Sequence, residues 1–187
     1  MQWMFYAAAE KAISWSIGDL SGWDVSNVTV MNNMFAGTAQ RVSIFDVGDL
    51  SNWDVSNVTT MAYMFNNAGY NAVSWNIGDL SKWNVSNVTD MGYMFCGSGA
   101  MASVWDIGDL NNWDVSSVTT MSRFFTGAGQ SATLWNIGDI SGWDVSNVKD
   151  MNFAFHSAGY NAASWNIGDL SSWDTSNVTS MSHMFYC

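Results

Sequence analysis

Residues 75–95 read WNIGDLSKWNVSNVTDMGYMF, and residues 45–65, 30 positions earlier, read FDVGDLSNWDVSNVTTMAYMF. The same unit recurs along the chain without insertion or deletion. Trp23, Trp53, Trp83, Trp113, Trp143 and Trp173 fall in one column, and Trp15, Phe45, Trp75, Trp105, Trp135 and Trp165 in a second. Met1 to Met181 and Phe5 to Phe185 form two more. Eleven of the 12 Trp and 12 of the 13 Met sit in such columns. A globule of unique topology has no reason to place its large side chains at one spacing, whereas a stack of like repeats does. One unit is too small to bury its own aromatic face, and stacking joins those faces into a continuous core. Each Trp has roughly 150–250 Å² to bury, worth several kcal/mol at about 25 cal/mol per Å² before ordering entropy is subtracted. The chain, residues 1–187, therefore reads as a single repeat domain: six 30-residue units plus a partial seventh.

Within the unit spanning residues 70–100, Val73, Trp75 and Ile77 alternate, which predicts a short strand ended by a turn at Gly78-Asp79. Trp83 and Val85 are again at strand spacing. Ser86-Asn87 offers N-cap chemistry, and Val88, Met91, Met94 and Phe95 recur at helical spacing, so Asn87 to about Phe95 reads as a short helix closed by Gly97 and Gly99. The expected fold is an α/β repeat solenoid, a leucine-rich-repeat-like coil with parallel short strands and one short helix per unit. Copies of a strand in such a coil run parallel, about 4.8 Å apart.

The run Leu80-x-x-Trp83-x-Val85-x-Asn87-Val88 resembles a leucine-rich-repeat strand. WDVSNVTTMAYMF (residues 53–65) and its copies resemble more specifically the W-D-x-S-N-V-T-x-M-x-x-M-F unit of BspA-type bacterial surface proteins, with an extra segment around residues 75–80. That resemblance, which covers essentially the whole chain, implies a leucine-rich-repeat-like coil and an extracellular or cell-surface setting. The first residues, MQWMFYAAAEK, do not read as a signal peptide, so the setting rests on the resemblance alone.

Charge excludes several function classes. The net charge is −11, and Lys11, Arg41, Lys82, Arg123 and Lys149 stand apart, so there is no basic patch for nucleic acid. No apolar run approaches the roughly 18 residues of a membrane span. Asp19, Asp49, Asp79, Asp109, Asp139 and Asp169 form one acidic column; Asp24, Asp54, Asp114, Asp144 and Asp174 form another, broken by Asn84. Like charges 5 Å apart repel by about 0.8 kcal/mol in water and about 3 kcal/mol at an effective dielectric of 20. Such columns must be hydrogen-bonded, solvated or neutralised. Turn and cap residues are the preferred reading; calcium between repeats is the alternative, although one Asp per repeat is few for an ion wanting six to eight oxygens. Asn27, Asn57, Asn87, Asn147 and Asn177 read as stacked amides or helix caps. The Trp columns, alternating with polar residues, read as core rather than as sugar platforms.

No catalytic constellation is visible. His156 and His183 occupy different repeat positions, Glu10 is the only Glu, and Cys96 and Cys187 are three repeats apart, too far for a disulfide. No catalytic, cofactor-binding or metal-ligating residue is assigned, and no cofactor is expected. The residue before each column Trp varies (Gly22, Asn52, Lys82, Asn112, Gly142 and Ser172), but Asp24 and Ser26 barely change from copy to copy, so the outward strand face reads as uniform, which suits a spacer. The expected role is a non-catalytic structural or adhesive repeat region of a surface or secreted protein. The alternatives are a module for a repetitive ligand (glycan or calcium) and a self-assembling fibre subunit. The expected partner is a protein or cell surface, with end-to-end self-association possible because neither end reads as a cap.

Overall fold

The computed structural model describes residues 1–186. Four strands, β1 (Ile44–Asp46), β2 (Ser74–Asn76), β3 (Val104–Asp106) and β4 (Leu134–Asn136), pair in parallel as β1–β2 and β3–β4. The register sets Phe45 opposite Trp75 and Trp105 opposite Trp135. A second line of parallel bridges runs Val30, Thr60, Asp90, Thr120, Asp150 and Ser180. Every pair is offset by one repeat, as in the 30-residue separation of Thr59 and Thr29. Constant parallel offset is the geometry of a repeat coil, and the chain is a repeat protein built from short parallel strands.

Between the two lines lies the core. Trp53, Trp83, Trp113, Trp143 and Trp173 stack with ring centroids 6.4–6.5 Å apart and planes within 5° of parallel. Trp75, Trp105 and Trp135 stack at 5.5 and 5.7 Å, and Phe65, Phe95 and Phe125 at 5.6 and 5.5 Å. Stacked rings sit offset over their copies, which suits the ring quadrupole and holds centroids beyond the strand spacing. Each Trp from Trp53 to Trp173 also donates its indole N–H to a carbonyl one repeat back, for example Trp83 Nε1 to Leu50 O and Trp113 Nε1 to Leu80 O, both at 2.9 Å. The inward-facing Trp reading is thereby established for the interior repeats.

The expected helix from Asn87 to Phe95 is absent. Among the described residues there is no α-helix; the short helical pieces are 3-10 turns at Leu50–Asn52, Leu110–Asn112 and Leu170–Ser172. The stretch after Met61 is instead a series of tight turns with two alternating classes of donor. The N–H groups of Tyr63, Phe65 and Asn67 bond to Gly92 O, Met94 O and Cys96 O of the next repeat, while those of Met64, Asn66 and Ala68 bond to carbonyls three residues back. A left-handed residue recurs in this stretch, with φ 60° at Tyr63 and 59° at Tyr93. The reason is spacing. Two helices need about 8–10 Å between axes, but the Phe65 and Phe95 rings of successive repeats lie 5.6 Å apart. Stacked turns fit that interval and helices do not.

Two smaller corrections follow. The second expected strand, around Trp83 and Val85, has no ladder of its own; pairing resumes five residues later at Asp90. Val73, which alternates with Trp75 and Ile77 in the sequence, faces out together with Ser74, because both N–H groups converge on Ser43 O at 3.0 and 3.2 Å. This bulge-like step leaves two successive side chains on one face. No described helix is long and apolar enough to cross a membrane.

Candidate functional site

The acidic columns are turn residues. Asp19, Asp49, Asp79, Asp139 and Asp169 each accept the backbone N–H two residues on, from Ser21, Ser51, Ser81, Ser141 and Ser171, at 2.8–2.9 Å. Asp24, Asp54, Asp114, Asp144 and Asp174 do the same with Ser26 and its equivalents at 3.0–3.1 Å. Hydrogen bonds from the Ser26 hydroxyl and N–H hold Asp24 below the usual carboxylate range, and those from Ser56 do so for Asp54. The charge of Asp24 opposes the shift at Asp54 but ranks last among its causes. Local donors thus outweigh column repulsion. Among the described residues no three acidic, His or Cys side chains converge to hold a metal.

A third polar column escaped the sequence reading: Asp46, Asn76, Asp106, Asn136 and Asn166 on the outer strand face. Asp46 Oδ1 accepts from Gly48 N and from Asn76 Nδ2, both at 3.0 Å. Asp106 Oδ1 likewise accepts from Gly108 N at 3.0 Å and Asn136 Nδ2 at 2.8 Å. Alternating Asp with Asn replaces a like-charge contact with a hydrogen bond. The Asn27 column is neither an amide stack nor a cap line: Asn57, Asn87 and Asn177 donate Nδ2 to Ser26 O, Ser56 O and Ser146 O of the preceding repeat at 2.7–2.8 Å.

Other exposed chemistry lies along the turn series. Tyr63 stacks on Tyr93 at 4.5 Å, Arg123 sits over Tyr93 and Phe153 at 5.7 and 4.3 Å, and Phe153 stacks on His183 at 5.0 Å. His183 Nδ1 lies 2.6 Å from Ser182 Oγ. His156 packs against Tyr186 at 5.3 Å. These side chains use their faces on one another, which is a structural arrangement. Burial pushes the Cys96 thiol up to about 11, against a smaller opposing effect of Arg123. Cys187 falls outside the described residues.

The uniformity read from the Asp24 and Ser26 columns does not extend to the β1–β4 face. Its outward column reads Ser14, Ile44, Ser74, Val104, Leu134 and Ser164. Ile44, Val104 and Leu134 are exposed, as is Val73 beside them. The signal was present in the sequence as three large apolar residues in a column otherwise made of serine. It was missed because the bulge at Val73-Ser74 hides which residues face outward.

A family model described as "Mycoplasma protein of unknown function, DUF285" matches residues 1–107 and again residues 99–187. No curated protein and no solved structure matches the chain.

Proposed function

The chain belongs to the family described as Mycoplasma protein of unknown function, DUF285, and from this we propose that it serves as a non-catalytic scaffold: a solenoid of six 30-residue units and a partial seventh, related to BspA-type repeats and displayed on a cell surface or secreted. The observation that carries the reading is the unbroken Trp53 to Trp173 stack, with each indole bonded one repeat back. Conserving one contact set through every repeat is how a rod transmits position. Turn carboxylates satisfied by their own backbone also give an acidic, solvated exterior suited to display.

Two measurements test the parts separately. Small-angle scattering on chains lengthened by whole units should show length growing by about 4.8 Å per unit; a compact particle of constant shape would refute the solenoid. Antibody against the repeats should label intact cells of the source organism. Labelling only after permeabilisation would refute surface display. The same preparation offered glycan arrays tests the ligand-module alternative.

A further inference from the structure

We propose that the outer face of β1–β4 is a docking surface for a cationic amphipathic segment of another protein. The inference goes beyond the scaffold reading and does not depend on it. Ile44, Val73, Val104 and Leu134 are 60, 56, 50 and 48% exposed on this face. An open groove of about 500 Å³ runs between β2 and β3, lined by Val73, Ser74, Asn76, Val104 and Asp106 among others. Apolar side chains on adjacent rungs form a contiguous patch rather than scattered single residues, and such patches mark interaction sites. Folding does not call for them, since Ser14, Ser74 and Ser164 occupy the same column.

The rim decides the occupant. Asp46 and Asp106 lie two residues beyond Ile44 and Val104 on the same exposed side. Each has Oδ1 engaged by a glycine N–H and an asparagine amide, and Oδ2 carries no hydrogen bond among the described residues. The carboxylates are therefore fixed in orientation with one oxygen free, poised to accept a charge-assisted bond. The cation nearest β1 in sequence is Arg41 alone, in a chain of net charge −11. A second copy would bring two acidic rims together, and an anionic membrane would be repelled. An extended segment alternating apolar and basic residues meets both demands: apolar side chains against Ile44, Val104 and Leu134, and ammonium or guanidinium groups against Asp46 and Asp106.

The test uses the whole chain and a fluorescein-labelled synthetic peptide alternating leucine and lysine, followed by anisotropy, with a leucine–glutamate peptide alongside. The triple variant Ile44→Ser, Val104→Ser, Leu134→Ser installs residues the column already carries, and its folding is checked by circular dichroism. It should bind at least about tenfold more weakly, given the apolar area removed. Asp46→Asn with Asp106→Asn should weaken binding severalfold and flatten its salt dependence. Asp24→Asn with Asp54→Asn, the same change in net charge elsewhere, should leave it unchanged. Equal affinity in the serine variant, equal loss from the two asparagine pairs, equal binding of the leucine–glutamate peptide or no binding at all would each overturn the proposal. So would a dimer, seen by sedimentation, that the serine variant abolishes, because it would make a second copy the occupant.

Discussion

Replacing Gly108 with Ala tests whether neighbouring repeats interlock at the turn that follows each strand. Gly108 has φ +87°, and a Cβ built on it meets Asp79 Oδ1 at 2.0 Å, Cγ at 2.6 Å and Oδ2 at 3.3 Å. Two costs add. The left-handed backbone costs an alanine about 1–2 kcal/mol. The overlap forces Asp79 aside, and its carboxylate is held by Ser81 N at 2.8 Å, so moving it forfeits a bond worth about 0.5–1.5 kcal/mol. Gly108→Ala should therefore destabilise by about 3 kcal/mol.

The cycle with Asp79→Ala separates the two costs, because all three of those near atoms vanish with the carboxylate. Asp79→Ala alone should cost about 1 kcal/mol, the usual loss of a capping side chain. Adding Gly108→Ala in that background should cost only the backbone part, which leaves a coupling of about 1 kcal/mol between the two sites. Urea midpoints on the four proteins measure it. Gly18→Ala provides a second reference, since at φ +77° nothing lies within 4 Å of its added Cβ. A coupling of zero, with Gly108→Ala equally costly in both backgrounds, would refute the interlock.

Three further outcomes are expected. Trp135 Nε1 is buried without a partner among the described residues, whereas Trp105 Nε1 bonds Ser98 Oγ at 3.3 Å; Ala128→Ser, at the position equivalent to Ser98, should stabilise by about 1 kcal/mol in thermal or urea unfolding, and a net loss would show that the hydroxyl does not reach. Asp19, Asp24, Asp54, Asp139, Asp144, Asp169 and Asp174 are all held below the ordinary aspartate range by hydrogen bonds, so their stabilisation is full above that range and is lost as pH falls through the lower folded values. Melting temperature should accordingly stay level from pH 7 to 5 and drop below about pH 4; a rise on acidification would mean column repulsion dominates. Cys96, with its thiol pushed up to about 11 by burial, should resist iodoacetamide at pH 8 until urea unfolds the chain, and rapid labelling of the native protein would contradict that burial.

The repeat was fully legible because identical spacing of Trp and Met has no other economical cause. The acidic columns were legible for a related reason: Asp-x-Ser is a local motif, and its hydrogen bonds close within three residues. What failed were the elements whose geometry is set by a distance or a backbone partner in the neighbouring repeat. Val88, Met91, Met94 and Phe95 have helical spacing, yet the 5.6 Å between Phe65 and Phe95 rules out helices side by side. No local periodicity reports that distance. Asn57 failed in the same way, since its partner is Ser26 O in the preceding repeat. The exposed apolar face failed because Val73 and Ser74 share one acceptor, which breaks the alternation that reveals an outward residue.

Stacking sets each residue beside its own copies, so every substitution is judged by two neighbours. Aromatic rings gain from that arrangement, and the Trp and Phe columns are nearly invariant in the interior. Carboxylates lose unless donors intervene, and on the strand face asparagines occupy alternate rungs beside Asp46 and Asp106. Where a column departs from uniformity, the departure needs a reason. Ser98 lends Trp105 an acceptor that Ala128 does not lend Trp135. Ile44, Val104 and Leu134 leave about half of each side chain in water. Hydrophobic burial would favour covering them, and the fold does not. A cost repeated on three rungs of one face, beside two oriented carboxylates, is what a binding surface looks like before its partner arrives.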